Sequence, residues 1–322
     1  MHKADILVTG ATGTLGSNIV RMLAAEPGYR VTAPVRSAQK PLDGVRFVHL
    51  DLEDAAATRQ LVTELRPAAV IHCAASGVRP SRPSWFSMLS FNVEATLRLF
   101  EASCLVPDCH FVYISTGLVY SSQGRPLRET DPIGTQHPYG ASKAAADLLL
   151  QAGAAEFDRD LTILRPFSFT GLRDGGNRLF PSLIRAAAEQ QPFAMSAGGQ
   201  VRDFCAVQDI AEAVVDVVEK RRQQAPGHAR IETYNLGSGM ELTLRELVED
   251  VRCQLGLQVE LQFGRMPYHP FEAMHLVADV TKAEAIPWVP GTNLAYAVWE
   301  FAQAEYPGLP VNKPSARVNK CT

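Results

Sequence analysis

The sequence has few cysteines and none of the arrangements in which cysteine builds a site. Its 322 residues include six cysteines, with no Cys-x-x-Cys pair and no cysteine and histidine cluster at metal-ligand spacing. Zinc sites and disulfide frameworks need such spacing. We therefore expect no metal, and reduced thiols that behave as small hydrophobic side chains.

Long apolar runs and an excess of one charge are also missing. No stretch approaches the roughly 20 apolar residues of a membrane span. The formal net charge is -3, which offers no basic surface for nucleic acid. The N-terminal MHKADILVTG lacks the apolar region and cleavage site of a secretory signal. These absences favour a globular cytoplasmic protein with neither a nucleic-acid nor a membrane partner.

The first half of the chain alternates strand-like apolar runs with helical patterns. Strands are expected at ADILVTG, YRVTAPV, VRFVHLD, AAVIHCAA, HFVYIST and DLTILRP, and helices near residues 17–25, 55–65, 91–103 and 139–155. Near-continuous β-branched runs are typical of strands that are covered on both faces. Such strands, separated by helices, predict right-handed crossovers and an α/β fold with a doubly wound parallel sheet of the Rossmann type.

Beyond Arg165 this rhythm loosens, and the glycine-rich LRDGGNR and SAGGQ interrupt it. A further helix is expected from Pro181 to Glu189. We expect a second, smaller and discontinuous lobe, followed by a proline-rich tail with little order. The expected boundaries are 1–165 with 206–236 for the dinucleotide-binding domain, 166–205 with 237–303 for the substrate lobe, and 304–322 for the tail.

Three glycines stand between the first predicted strand and the first predicted helix. Gly10, Gly13 and Gly16 lie in GATGTLG, which is the context in which a glycine-rich turn binds a dinucleotide. Glycine lets the backbone approach the pyrophosphate, and the helix N-terminus favours its charge. The Gly-Lys-Ser/Thr ending of a P-loop is missing, which argues against a nucleotide triphosphatase. An ordinary strand-to-helix turn without a ligand is the alternative.

The residue expected to distinguish NAD from NADP is an arginine. An acid about 20 positions after the glycines would bind the ribose 2′-hydroxyl of NAD, yet the second strand ends in APVRS with Arg36. Because arginine pairs with a 2′-phosphate, we expect NADP in preference to NAD; a solvated arginine would leave the choice open. Asp51 either accepts from the adenine amino group or caps the following helix.

Tyr139 and Lys143 form a Tyr-x-x-x-Lys pair in PYGASKAAADLLL, so both project from one face of a helix. A nearby ammonium favours the phenolate and lets tyrosine exchange a proton with a substrate hydroxyl near neutral pH. The spacing alone also suits an exposed helix face. Upstream, a strand ends in Ser115 and Thr116 at the sheet edge where ligands bind. Thr116 would bind the reacting oxygen or merely cap the backbone.

With glycine turn, strand-end hydroxyl and Tyr-x-x-x-Lys in this order, the sequence resembles the extended short-chain dehydrogenase/reductase family. Within that family it resembles the NAD-dependent epimerase/dehydratase group, which acts on nucleotide sugars. The likeness covers about residues 4–303 and includes HCAA, FNVEAT, RPFSFTG and YNLGSGMELTLRELVEDV. It implies that Tyr139 is the acid/base, that Lys143 holds the nicotinamide ribose, and that Thr116 binds the substrate oxygen.

The resemblance also implies which residues contact the two ligands. The expected cofactor site comprises Gly10, Thr12, Gly13, Thr14, Leu15, Gly16, Arg36, Asp51, Leu52, Ala74, Ala75, Asn92, Lys143 and Pro166. For a nucleoside-diphosphate sugar, Asn177 and Arg202 would contact the diphosphate beyond Thr116, and Arg265 or His269 would replace the Arg-x-Gly-Asp contact of relatives. Alternatively, Asn177 closes a turn, Arg202 pairs with Asp203, and His269 is a surface residue.

The segment Thr116-Gly117-Leu118 departs from the pattern of the family's 4,6-dehydratases, which carry Thr-Asp-Glu there. Elimination of water is therefore not expected. The remaining residues are sufficient for hydride transfer at one sugar carbon, so we expect reduction of a 4-keto hexose at C4 with NADPH, or 4-epimerisation with tightly held NAD. A non-catalytic NADP-sensing regulator is a remote alternative. Family precedent predicts a homodimer built by the helices that hold Asn92 and Tyr139.

Overall fold

The computed structural model describes residues 3–77, 84–135, 137–224, 229–269 and 272–317. Its strands, in chain order, are β1 (Ala4–Thr9), β2 (Tyr29–Val35), β3 (Val45–His49), β4 (Ala69–His72), β5 (His110–Ile114), β6 (Leu161–Pro166), β7 (Ser168–Thr170), β8 (Phe193–Met195), β9 (Val201–Arg202), β10 (Phe204–Ala206), β11 (Ile231–Leu236), β12 (Leu242–Thr243), β13 (Leu261–Phe263) and β14 (His275–Leu276).

The α-helices are α1 (Thr14–Ala25), α2 (Ala55–Leu65), α3 (Trp85–Leu89), α4 (Thr96–Cys104), α5 (Pro138–Phe157), α6 (Leu179–Ala188), α7 (Val207–Arg222), α8 (Leu244–Leu255) and α9 (Leu294–Glu305). A π-helix over Ser90–Ala95 joins α3 to α4. Local sequence explains several ends. For example, Thr243 and Glu246 form a capping box at the start of α8, and Gly256 ends this helix in the left-handed conformation.

A parallel sheet of seven strands forms the centre, in the order β11-β6-β5-β4-β1-β2-β3. Its inner strands are buried on both faces, whereas the edge strand β3 is half-buried or exposed along its length. Along β1, Ile6 and Val8 pack in one apolar cluster with α1 and α7, whereas Leu7 packs in another with α4 and α5. Because side chains alternate between the two faces of a strand, β1 contributes to two apolar cores. The predicted α/β fold with a doubly wound parallel sheet is confirmed.

The chain returns to this sheet late. β11 pairs in parallel with β6 at the sheet edge, and α7 packs beside α1. A separate apolar cluster lies between α6, α8 and α9 and includes Phe180, Val248 and Val298. The predicted division into a dinucleotide-binding domain and a substrate lobe stays a prediction, with which these separate cores agree.

Several element boundaries differ from those predicted. α1 begins at Thr14 rather than near residue 17, since the glycine turn already supplies its first helical hydrogen bonds. The helix predicted near 91–103 is a π-helix followed by α4. The expected loose tail is ordered as far as Arg317: the Asn312 N–H donates to the Leu255 carbonyl at 2.9 Å, and Arg317 forms a bridge with Thr292.

Over the residues described, no helix combines the length and the hydrophobicity that crossing a bilayer would require.

Candidate active site

A cavity of about 1580 Å³ lies along the carboxyl edge of the sheet. Its walls include the segments that follow β1, β4, β5 and β6. β1 lies between β2 and β4, so the cavity opens where the strand order reverses. Open α/β sheets bind their ligands at this position, because the connections on either side of it leave in opposite directions.

The glycine turn forms one end of this cavity. Gly10 has φ +70, and a Cβ there would lie 2.6 Å from the Ala74 backbone nitrogen. A Cβ at Gly16 would lie 2.2 Å from the Gly10 carbonyl oxygen. α1 begins after Gly13, without an acidic residue in its first turn, so its free N–H groups face the cavity without a competing carboxylate. This backbone fits a pyrophosphate. All six predicted turn residues line the cavity: Gly10, Thr12, Gly13, Thr14, Leu15 and Gly16.

The predicted adenosine-side residues also line the cavity. Arg36 is exposed at the end of β2, and Asp51 and Leu52 follow β3. The alternative in which Asp51 caps α2 is wrong, because Asp54 is the cap and accepts from the Ala57 N–H at 3.0 Å. The remaining predicted cofactor contacts on the cavity wall are Ala74, Ala75 and Pro166.

Tyr139 and Thr116 line the same cavity from α5 and from the end of β5. Thr116 both faces the cavity and caps the backbone, since its Oγ1 accepts from the Leu118 N–H at 3.2 Å. Lys143 lies behind this surface. Its side chain is buried, and its Nζ lies 3.9 Å from the centroid of the Tyr113 ring. The structure therefore brings all three predicted catalytic residues to one region and leaves the lysine as the deepest of them.

The ionisation of the pair is controlled mainly by burial. Burial raises the pKa of Tyr139, which Arg178 lowers and Asp147 raises further. Burial lowers the pKa of Lys143 to about 7, against the opposing effect of Asp147. The sequence-based interpretation assigned Lys143 as the cation acting on Tyr139. In the structure the cation that lowers the pKa of Tyr139 is Arg178, a cavity residue that sequence reasoning missed. In the sequence, the position of Arg178 directly after Asn177 could have indicated that it lies in the site.

Asn92 supports the site from behind. It is buried in the π-helix, and its amide accepts from the Ser76 N–H at 2.7 Å and donates to the Ser76 carbonyl at 2.8 Å. The same amide donates to Ser142 on α5 at 2.8 Å. Asn92 thus ties the segment after β4 to the helix of Tyr139, and the structure places it outside the cavity lining.

The predicted substrate residues divide into two groups. Asn177, Arg202 and His269 line the cavity, whereas Arg265 is exposed outside its lining. The sequence also missed Glu272, which lines the cavity, although His269 and Glu272 keep the spacing of the Arg-x-Gly-Asp contact.

The alternative proposed for Arg202 does not match its contacts. Arg202 pairs with Glu272. It does not pair with Asp203, whose carboxylate accepts from the backbone N–H groups of Ser238, Gly239 and Ala278. Asn177 accepts from Arg185 at 3.1 Å while lining the cavity.

The loop after β7 is attached to the first helix. Thr14 donates to the Arg173 carbonyl at 3.2 Å, and Asn18 donates to the Leu172 carbonyl at 3.1 Å. Further along, Gly175 and Asn177 line the cavity. The loop therefore connects the glycine-turn end of the cavity with its substrate end.

The comparisons with known proteins agree with this geometry. The model of the NAD dependent epimerase/dehydratase family matches residues 6–237. The chain belongs to this family. It is consequently an enzyme of the extended short-chain dehydrogenase/reductase type, as the sequence predicted, and its relatives are NAD-dependent nucleotide-sugar epimerases and dehydratases.

Individual relatives cover nearly the whole chain. The Low-salt glycan biosynthesis protein Agl12 of Haloferax volcanii is 31% identical over 89% of this chain and 93% of its own length. The UDP-glucose 4-epimerase of Mycolicibacterium smegmatis is 29% identical, covering 91% of this chain and 95% of its own. The structure of MoeE5 in complex with UDP-glucose and NAD is 28% identical, with a TM-score of 0.81 over 93% of this chain and 97% of that one.

Proposed function

We propose that this protein is an NAD-dependent 4-epimerase of a nucleoside-diphosphate hexose. One observation carries the proposal: Tyr139 and Thr116 face a single cavity with the glycine turn, and Gly117 and Leu118 beside them supply no acid or base for elimination. The site therefore supports hydride and proton transfer at one carbon, and the segment after β5 lacks the acid and base that a dehydratase would use at the neighbouring carbon. A UDP-glucose 4-epimerase among the relatives agrees with this reaction.

In this mechanism the side chains of the protein move the proton and orient the sugar. NAD, held at the glycine turn by Gly10, Gly13 and Gly16, would supply the hydride acceptor. Tyr139 takes the proton of the C4 hydroxyl when that carbon is oxidised and returns it when the ketone is reduced from the other face. Thr116 donates a hydrogen bond to the same oxygen, and Lys143 stabilises the phenolate. Hydride and proton both return to the sugar, so no net redox change occurs.

The cofactor proposed here is NAD, in place of the NADP that Arg36 led us to expect. MoeE5, which aligns over nearly the whole chain, was determined with NAD. The loop after β7, which Thr14 and Asn18 hold beside the glycine turn, also agrees with a retained cofactor. A retained cofactor suits an epimerase, which regenerates NAD in every turnover.

Arg36 favours a second candidate, the NADPH-dependent reduction of a 4-keto sugar. Its side chain is exposed on the cavity wall at the end of β2. There a guanidinium would pair with a 2′-phosphate. Both reactions would use Thr116, Tyr139 and Lys143 in the same roles.

The two candidate enzymes differ in their substrates and in whether they consume NADPH. We would incubate the purified protein with UDP-glucose and dTDP-glucose without added cofactor, and separately supply dTDP-4-keto-6-deoxyglucose with NADPH. An epimerase converts a hexose into its C4 epimer, read by chromatography, and carries NAD that denaturation releases. Loss of NADPH absorbance without formation of a C4 epimer would show that the protein is a reductase and not an epimerase.

We also propose a homodimer through α3 and α5. These neighbouring helices expose large apolar side chains, Trp85 by 74%, Phe86 by 82% and Leu148 by 57%. Leu89 and Leu149 extend the apolar face. An exposed apolar surface of this kind is typical of a protein interface. It lies on α5, which holds Tyr139, and on α3, which leads into the π-helix of Asn92, so it adjoins the helices for which family precedent predicts an interface.

A further inference from the structure

A carboxylate that the proposed mechanism does not use lies beneath the reaction centre. Asp147 follows Lys143 by four residues on α5, as Lys143 follows Tyr139, so the three occupy one side of the helix. Asp147 is fully buried and its Oδ2 accepts from Arg165 Nε at 2.9 Å. Arg165 also donates to the Tyr120 phenol oxygen at 2.7 Å. Arg165 on β6, itself held by Tyr120, thus fixes the carboxylate.

The other groups around Lys143 are neutral. Its ammonium lies over the Tyr113 ring, and His72 stacks on that ring with centroids 5.9 Å apart. Burial lowers the pKa of His72 to about 3, assisted by Lys143. Burial raises the pKa of Cys73 to about 12. Neither side chain therefore offers a charge to the ammonium near neutral pH.

Asp147 is the group that can offer one. Burial raises the pKa of this carboxyl, and Arg165 opposes that effect. A guanidinium does not lose its proton in a protein, so protonation of Asp147 would leave a charged Arg165 buried without a counter-charge. The ion pair therefore keeps the carboxylate ionised one helical turn from Lys143.

We propose that Asp147 is a positioning residue for the proton-transfer pair: fixed by Arg165, its carboxylate keeps Lys143 an ammonium behind Tyr139. The carboxylate acts on both members of the pair, since Asp147 raises the pKa of Lys143 and also that of Tyr139. The inference rests on the proposed function only in taking Tyr139 and Lys143 as the proton-transfer groups. It applies equally to epimerisation and to reduction.

The test replaces this carboxylate by an amide of the same shape, Asp147→Asn. Both limbs of the pH profile of kcat/KM should move to lower pH by about one unit or more, because a charge that raises both pKa values is gone. Asp160→Asn is the matched control. Asp160 is also buried and pairs with an arginine, Arg221, but it precedes β6 at the opposite end of that strand. This control should lose stability and keep the wild-type profile.

An unchanged profile in Asp147→Asn would overturn the proposal, as would the same displacement in Asp160→Asn. Because a lone Arg165 can prevent folding, we would also make Asp147→Asn with Arg165→Met, which leaves no unpaired charge and should shift the profile in the same direction.

A readout without turnover separates this proposal from the proposed function. The ¹³Cε resonance of Lys143 in the wild type should titrate near pH 7, and in either Asp147 variant about one unit lower. A wild-type midpoint well below pH 6 would show that the carboxylate does not hold the proton, whether or not the protein is an epimerase.

Discussion

Burial on one helix face shifts the pKa values of Tyr139 and Lys143 in opposite directions. Burial raises the pKa of the phenol and lowers the pKa of the ammonium, because it disfavours both charged forms. Proton transfer nevertheless needs a phenolate and an ammonium together. The site therefore depends on charges placed around it, which include Arg178 and Asp147.

Tyr139→Phe tests the acid/base at the residue scale. The substitution removes one oxygen and keeps the ring, so kcat should fall by about 10²- to 10⁴-fold with little change in KM. Steady-state epimerisation or reduction measures this. Tyr296→Phe, which changes a tyrosine of α9 in the same way, is the control and should retain full activity; an active Tyr139→Phe would refute the assignment.

Lys143→Met should make the protein more stable and inactive. The pKa of Lys143 is lowered from 10.5 to about 7, so between these values the folded chain binds fewer protons than the unfolded chain, and wild-type stability rises with pH. At pH 6 to 7 the variant should gain about 2 kcal/mol or more, since it no longer buries an ammonium.

Urea unfolding at pH 6, 7, 8 and 9 measures this difference. In Lys143→Met the rise in stability between pH 7 and 9 should be reduced relative to the wild type. Lys40→Met changes an exposed lysine and should keep the wild-type slope. If Lys143→Met lost stability at every pH, the buried ammonium would not be the source of the pH dependence.

At the scale of elements, the turn between β1 and α1 carries the strictest geometry. Gly10→Ala forces a side chain into the left-handed region and a Cβ to within 2.6 Å of the backbone after β4. We expect a loss of about 2 kcal/mol or more in unfolding free energy and loss of bound dinucleotide.

Gly28→Ala is a matched control for this turn, because a Cβ at Gly28 meets no atom within 4 Å. It should leave stability and cofactor content nearly unchanged. Calorimetry and the dinucleotide released on denaturation report both properties. A stable Gly10→Ala protein that still carries cofactor would show that the turn tolerates a side chain and that its shape does not select glycine.

Individual elements show which parts of the fold could be predicted from the sequence. The parallel strands and the doubly wound type of the sheet were predictable, because β-branched runs buried on both faces differ clearly from amphipathic helices. The π-helix was not, since its extra residue leaves no trace in hydrophobic period. Contacts between distant segments were also out of reach: Glu272 meets Arg202 across 70 residues, and no local pattern in the sequence encodes such a pairing.

At the scale of the whole molecule, the apolar face of α3 and α5 leads to a prediction about assembly. Phe86→Glu combined with Leu148→Glu would place carboxylates in the proposed interface and should convert a dimer into a monomer in sedimentation. Val289→Glu, at an apolar residue 63% exposed elsewhere, should leave the assembly unchanged. A wild-type protein that sediments as a monomer would refute the interface.

The position of β11 also has a consequence for synthesis of the chain. The strand that covers the edge of β6 comes from residues 231–236, after a segment that includes α6 and α7. While the ribosome is still translating that segment, β6 has an open flank whose N–H and C=O groups have no neighbouring strand. A nascent chain halted before residue 231 should consequently recruit chaperones, and a fragment ending at residue 165 should aggregate.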